Sequence, residues 1–420
     1  MDKQPTPHLY VHKTRLHVNN KQRSWCAGSA GFSRFAYNWA LNWMQEEYKN
    51  GNKRTVNDAA KAFNAAKNTD PELSWIKDSG YSSVVSHSAI VKAGLKNAFK
   101  NFFEKRAKYP KFKSRFKSRD SFYLNNTVLN NTHINGNRIK LPKRQGYIRL
   151  GSSPKHEGRL LSTTISRTGN KWYGSFTYEL DKPMDYKQST GQPIGLDVGI
   201  TNFVTDSNGE FHQLPEKIKK LQHKKKILQR KLKNKQGPNR KKEILASRQY
   251  IALKDKIRQL DADIAFLRRE AQHQLSAKLT KEHSVVVVED LAVKNMSKSA
   301  KGTTEKHGKN VKAKSGLNRE LLNGGFGELR RQLEYKTDRH NGTMLAVNPQ
   351  YTSRICNNCG HEEVGNRRKE KFKCLQCGHE SHADVNAAMN ILNRGLSELA
   401  ANGVDGVRLT PLNDSGEVNQ

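Results

Sequence analysis

The stretch QPIGLDVGITNFVTDSNGEF, residues 192–211, reads as strand–turn–strand, with Ser207-Asn208-Gly209 as the turn. A long charged helical region follows over 214–282, where apolar residues recur at three- and four-residue spacings and Gly237-Pro238 breaks the run into an antiparallel hairpin. HSVVVVEDL, 283–291, is a short continuous apolar run after a helix, the pattern of a strand buried on both faces in a parallel sheet. A helix from about Asn323 to His340, the strand TMLAVNP and a helix opening at Asp384 complete the half. Hairpin, helix, strand, helix, strand, helix is the element order of an RNase H-like α/β fold.

Two acids break that apolar pattern. Asp197 lies within the first strand and Glu289 ends the valine run. Such local inconsistencies are where functional sites are expected. Asp384 has a comparable address at the start of the last helix. Carboxylates brought together raise one another's pKa, and a divalent cation removes that cost. Two Mg²⁺ (or Mn²⁺) ions held this way can clamp the attacking and leaving oxygens of a phosphodiester. Alone, each acid also reads as a turn or cap residue, and Asp384 suits a helix cap. Asp290 rivals Glu289 but belongs to the opposite face of the strand.

The chain has 420 residues, with 75 Lys and Arg against 39 Asp and Glu, a net charge of +36. An imbalance that large implies a polyanionic partner, with nucleic acid ahead of an anionic membrane. No run of 18 apolar residues exists and MDKQPTPHLY does not read as a signal peptide, so no membrane partner is expected and the protein reads as cytoplasmic. The basic charge is densest in KRAKYPKFKSRFKSR, 105–119. There Lys105, Arg106, Lys108, Lys111, Lys113, Arg115, Lys117 and Arg119 interleave with Tyr109, Phe112 and Phe116. Charge plus aromatic faces suits backbone tracking and base stacking. The lysine-rich helix at 217–235 is a second candidate for backbone contacts.

Four of the five cysteines form two C-x-x-C pairs, Cys356/Cys359 and Cys374/Cys377, fourteen residues apart. Four thiolates fill a tetrahedral Zn²⁺ site with no position left for water, so this zinc is expected to be structural. Cys26 reads as a small buried hydrophobe. Toward the N-terminus, 1–27 reads as extended, about 29–105 as a small helical bundle with aromatics in its core, and 120–183 as β-rich with hairpin turns at Asn135-Gly136 and Gly169-Asn170. These strands could close a small barrel around the inserted helices. Residues 297–316, rich in lysine and glycine, are expected to be mobile in isolation.

GLDVGITNFVTDSNG, VVVVEDLAVKNM, FGELRRQLEYK, NPQYTSRICNNCG and CLQCGHESHADVNAAMNIL, in this order, together with RFAYNWAL and KYPKFKSR, resemble the TnpB family encoded by bacterial and archaeal insertion sequences. The resemblance spans nearly the whole chain. It implies an RNA-guided DNA endonuclease with a RuvC-like site, similar to type V CRISPR effectors. Its guide RNA would derive from the transposon end, and its double-stranded target DNA would carry a short adjacent motif. Such a protein would be prokaryotic and nucleoid-associated, and the same element can encode a separate transposase. Asp197, Glu289 and Asp384 would be the metal-binding catalytic acids, and the four cysteines would hold zinc. The implied organisation is an α+β multidomain chain. A wedge-like β-barrel would comprise 1–28 and 118–185, with a helical recognition domain, 29–117, inserted. A RuvC-like nuclease domain would comprise 190–348 and 381–398, a zinc-ribbon insert binding target nucleic acid 349–380, and a disordered tail 399–420. Many relatives carry Arg four residues before the third cysteine, where this chain has Glu370; Arg367 and Arg368 lie nearby as substitutes. Some relatives have lost catalytic acids and act as RNA-guided repressors. A repressor, a transposase and a plain zinc-ribbon DNA-binding module are the competing readings.

Overall fold

The computed structural model describes residues 8–402, except 79–82, 93, 116–117, 142–145, 155–156, 183, 240–242 and 304–306. The fold is α+β, and the chain divides into two units, Met1–Met184 and Asp185–Gln420. Of the tail expected to be disordered, 399–420, residues 399–401 belong to the last helix, where Leu399 packs into the core, and the residues beyond 402 lie outside the described ones, as do Phe116 and Lys117.

In the first unit, strand β1 (His8–His17) leads into a 30-residue helix α1 (Asn20–Lys49). The helix starts nine residues earlier than the periodicity around Ser29 suggests. The cause is a capping box: the Asn19 side chain accepts from the Gln22 N–H at 2.9 Å, and Gln22 accepts in return from the Asn19 N–H at 3.0 Å. Helices α2 (Val56–Thr69), α3 (Trp75–Asp78), α4 (Ser83–His87) and α5 (Leu95–Phe103) follow. The aromatics form a core, as expected: Phe63 of α2 receives the rings of Phe32, Phe35 and Trp39 from α1.

Strands β2 (Ser121–Asn125), β3 (Ile134–Asn135), β4 (Arg138–Leu141), β5 (Gly146–Leu150), β6 (Arg159–Thr168) and β7 (Lys171–Leu180) join β1 in an antiparallel sheet of order β2-β6-β7-β1-β5-β4-β3. Both expected hairpin turns are present, with Gly136 at φ 54° and Gly169 at φ 60°, conformations that glycine adopts without strain. The expected barrel is not closed: among the described residues β2 and β3 are edges and do not pair. Instead the inner face of the sheet is filled by α1, whose Trp25 meets Phe122 of β2 edge-on at 5.5 Å.

The second unit is built on a five-stranded sheet. Strands β8 (Ile194–Asp197), β9 (Val204–Asp206) and β10 (Phe211–His212) form an antiparallel meander. Helices α6 (Glu216–Lys233) and α7 (Arg248–Glu282) form the expected hairpin, linked by an ion pair of 2.5 Å between Lys225 and Asp261. Strand β11 (Val285–Glu289) then lies parallel to β8. After α8 (Val293–Met296), α9 (Val311–Gly324) and α10 (Phe326–Arg339) comes β12 (Thr343–Val347), parallel to β11 on its other side. The sheet order is β10-β9-β8-β11-β12.

The helix expected from about Asn323 to His340 is α10, and the unexpected α9 ends just before it at a break where Gly325 takes φ 69°. Helix α9 occupies part of the segment expected to be mobile, tied down where Asn318 donates to the Ser297 carbonyl at 2.9 Å. A small sheet of β13 (Arg367–Arg368), β14 (Lys371–Lys373) and β15 (Glu380–His382) precedes the last helix, α11 (Ala383–Ala401).

The valine run explains the layering. Val286 and Val288 pack with Leu279 of α7 and Leu329 and Leu333 of α10, whereas Val285 and Val287 pack with Ile391 and Leu399 of α11. Alternation along the strand sends successive side chains to opposite layers, so the run is apolar throughout. Helix α11 lies unusually close to the sheet. A Cβ on Gly195 would sit 2.3 Å from the Ala388 carbonyl oxygen, and one on Gly395 2.5 Å from Val287 Cγ1.

Candidate nuclease site

The same alternation positions the acids. Leu196 is level with Val288 in the β8–β11 register, so one residue further on Asp197 and Glu289 come level. Ile194 and Leu196 face the α10 layer, and Gly195 faces α11. By parity Asp197 and Glu289 also face α11, toward the helix start where Asp384 stands. Three acids distant in sequence therefore converge at the C-terminal ends of two parallel strands and the N-terminus of one helix.

Their electrostatics reflect that convergence. Burial, then the charges of Glu289 and Asp384, push the Asp197 carboxyl up to about 7. Burial also raises Glu289, opposed by a 2.7 Å hydrogen bond donated by the Thr352 hydroxyl. Asp384 accepts from Arg367 Nη2 at 2.9 Å on one oxygen and from Asn202 Nδ2 at 3.1 Å on the other. It does not cap its own helix: His382 is the N-cap, and its Nδ1 accepts from the Asp384 N–H. Asp290 turns away and pairs with Arg330. The three carboxylates do not all lie within 4.8 Å of one another, as the four thiols do. Arg367 and Asn202 hold Asp384, and like charges oppose closer approach. Asp197 and Glu289, both with raised pKa values, and Asp384 beside them form a donor set that suits a hard divalent cation.

Sequence reasoning missed the supporting polar residues. Asn202 is itself held by Gln213, which donates to its Oδ1 at 2.6 Å. Thr352 is fixed through its carbonyl, which accepts from Asn390 Nδ2 of α11 at 2.8 Å. These residues sit in loops or on a helix with no local pattern, and only the tertiary fold brings them to the acids.

The cysteines form two matching knuckles. In each, the glycine after the second cysteine takes positive φ, 75° at Gly360 and 73° at Gly378, and donates to the carbonyl of the first cysteine. Sγ–Sγ separations are 3.7 Å for Cys356–Cys377 and 3.5 Å for Cys359–Cys374. Four sulfur donors at this spacing fit zinc. Two of the neighbouring histidines are otherwise engaged: His361 pairs with Glu363, and His382 caps α11. The small sheet beside the cysteine cluster is joined to the acids twice. Arg367 reaches Asp384 from β13, and the Ala383 N–H donates to the Glu370 carbonyl at 2.8 Å. Arg368 is exposed. Another cluster of potential ligands, Asp206, Glu210 and His212, belongs to the β9–β10 turn. There Asp206 accepts from the Asn208 and Glu210 N–H groups and from His212 Nε2.

The basic segment is divided in its roles. Lys105, Lys108, Lys111 and Phe112 are exposed, and Arg106 pairs with Glu104. Tyr109 packs edge-on against Phe99 and Phe102 yet stays 41% exposed. Lys113 lies 3.8 Å over the Tyr37 ring, and Asn38 bonds both its backbone N–H and its carbonyl. The motifs RFAYNWAL and KYPKFKSR thus meet in space. Arg119 donates to Ser166 and Thr168.

Three family models match the chain. They are described as a helix-turn-helix domain (9–53), a probable transposase (175–300) and a Cas12f1-like TNB domain (326–391). A putative RNA-guided DNA endonuclease, InsQ of Escherichia coli K12, is 36% identical over 393 residues, covering 93% of this chain and 94% of the relative. The chain belongs to the TnpB family. A second TnpB-like relative, a putative RNA-guided DNA endonuclease of Streptomyces pristinaespiralis, is 30% identical and covers 94% of this chain and 91% of its own. Among solved structures, CasPhi-2 (Cas12j) bound to crRNA matches with a TM-score of 0.42 at 14% identity, over 95% of this chain and 99% of that one. In this TnpB-family chain, the region matched as helix-turn-helix is a strand followed by one long helix.

Proposed function

We propose that this protein is an RNA-guided DNA endonuclease of an insertion sequence. It would use a guide RNA from the transposon end and a short motif beside the target in duplex DNA. The reading is supported by kinship with relatives named as putative RNA-guided DNA endonucleases, over almost their whole length. The observation that carries it to chemistry is the convergence of Asp197, Glu289 and Asp384 at the ends of two parallel strands and a helix, which supports reading the domain as RNase H-like and the site as RuvC-type. Bound divalent ions, Mg²⁺ or Mn²⁺, would activate water and stabilise charge developing at the scissile phosphate. Asp197 and Glu289 would hold the metal from the sheet and Asp384 from α11. Thr352 and Asn202 fix the orientation of Glu289 and Asp384. Arg367, already at Asp384, stands where it can meet a phosphate oxygen, in place of the arginine that Glu370 replaces. Cys356, Cys359, Cys374 and Cys377 hold a structural zinc that keeps β13–β15 rigid. Exposed residues of the basic segment contact backbone phosphates. The chain acts in the cytoplasm on the nucleoid.

The test is to express the chain with its downstream element end, purify it and sequence the RNA it retains. Plasmid carrying a guide-matched target beside randomised flanks is then offered with Mg²⁺ or with EDTA. Guide-matched breaks in Mg²⁺ alone are expected. RNA-directed binding without breaks would indicate a repressor. The match to a probable transposase favours a second reading, strand transfer, which joined products in the same reaction would reveal.

A further inference from the structure

Within the first unit, a cavity of about 320 Å³ opens where the basic segment crosses α1. Ala27, Gly28 and Gly31 line one wall, so helix backbone is reached with almost no side chain in front of it. Arg34, Arg115, Arg167 and Asp120 provide the charge. Asp120 is buried, and its two oxygens are taken separately by Arg34 and by Arg167, the latter at 2.6 Å. Each guanidinium carries five N–H donors in a fixed plane, so each has donors to spare after serving one carboxylate oxygen. Arg115 makes no ion pair or hydrogen bond among the described residues, although it comes from the densest basic run in the chain. Lys113 lies close by, its pKa lowered by burial and by the Arg34 charge, so the surroundings hold excess positive charge.

We infer that this cavity is a phosphodiester-binding pocket, in which Asp120 holds two guanidiniums in place and the unpaired Arg115 completes the anion's coordination. The geometry supports an anion over a neutral ligand: three guanidiniums face one carboxylate, and planar forks of this kind match phosphate oxygens. Asp120 then serves to preorganise, keeping Arg34 and Arg167 from folding onto the surface before nucleic acid arrives. The inference deepens the proposed function by naming a phosphate contact within the first unit, and either guide RNA or target DNA can supply the phosphate.

Two variants test it. Arg115→Ala removes the unpaired guanidinium. Gly31→Glu puts a carboxylate into the cavity from a helical position where a Cβ meets nothing closer than Arg34 Nη2, at 3.8 Å. Glu is also the better helix former. Binding is measured against salt in two arms: the copurified RNA species on RNA-stripped protein, and duplex DNA on the RNA–protein complex. Lys61→Ala, exposed on α2, is the control for loss of general charge. In one arm both variants should reduce the slope of log Kd against log salt by about one contact, roughly 0.7–0.9, while the control leaves it unchanged. The arm affected identifies the source of the phosphate. Gly31→Glu should melt at or above the wild-type temperature, so its binding loss cannot be ascribed to misfolding. Unchanged slopes in both arms for a folded Gly31→Glu, or an equal loss in Lys61→Ala, would overturn the inference. These slopes do not depend on cleavage, so failure here leaves the nuclease reading standing, and absence of cleavage leaves this result interpretable.

Discussion

Asp197 is the residue whose environment says most. Its carboxyl lies near 7 because burial and two neighbouring acids disfavour its charge. A folded pKa raised above the unfolded value contributes stability that is present below about pH 4 and is lost as pH rises through about 7. Without metal, ionised Asp197 therefore destabilises the fold at pH 8. Asp197→Asn, which keeps the shape and removes the charge, should stabilise the metal-free protein at pH 8 by about 1–3 kcal/mol and have no such effect at pH 4. Urea unfolding in EDTA at the two pH values measures this. Asp197 and Glu289 were legible as candidates because each interrupts an apolar strand, and Asp384 because it opens a helix beside the cysteines. Asn202, Gln213 and Thr352 were not, because a polar residue in a loop breaks no pattern. Asn202→Ala should lower the cleavage rate by roughly 10-fold while leaving RNA retention intact, since it orients Asp384 without holding metal itself. Single-turnover kinetics on preformed complex would reveal it.

Two elements control whether the acids meet. Helix α11 is pressed onto β8 and β11 through two glycines, and the tighter contact is against unyielding backbone. Gly195→Ala should cost about 2 kcal/mol or more and displace α11, whereas Gly395→Ala meets only valine methyl groups and should cost less. Denaturant midpoints compare the two. The cysteine knuckle is the other such element. It leads directly into α11, and both Arg367 and the Glu370 carbonyl tie it to the helix start. Cys374→Ala should therefore lose zinc and slow cleavage with every acid intact; normal zinc content and normal cleavage would refute the link. The strands and the α6–α7 hairpin could be read from periodicity, since their apolar spacing is long and regular. The start of α1 was hidden because its capping box lies in polar sequence. Helix α9 was hidden because its first half lies in lysine- and glycine-rich sequence that carries no clear apolar period. The open sheet could not be foreseen, because closure depends on pairing between strands distant in sequence.

For the molecule as a whole, a charge of +36 agrees with a polyanionic partner. The first unit presents its basic segment and its arginine-lined cavity, and the second unit presents three acids beside a cysteine cluster. Binding surface and chemistry are thus separable by mutation, and the chemistry is the central claim. The measurement that tests it is the single-turnover cleavage of guide-matched plasmid by the RNA–protein complex in Mg²⁺, comparing wild type with Asp197→Ala at matched RNA occupancy. The account predicts cleavage that EDTA abolishes and a loss of at least roughly 10³-fold in the variant, about 4 kcal/mol of transition-state stabilisation, with DNA binding retained. Undiminished cleavage by Asp197→Ala would contradict it and place the active site elsewhere.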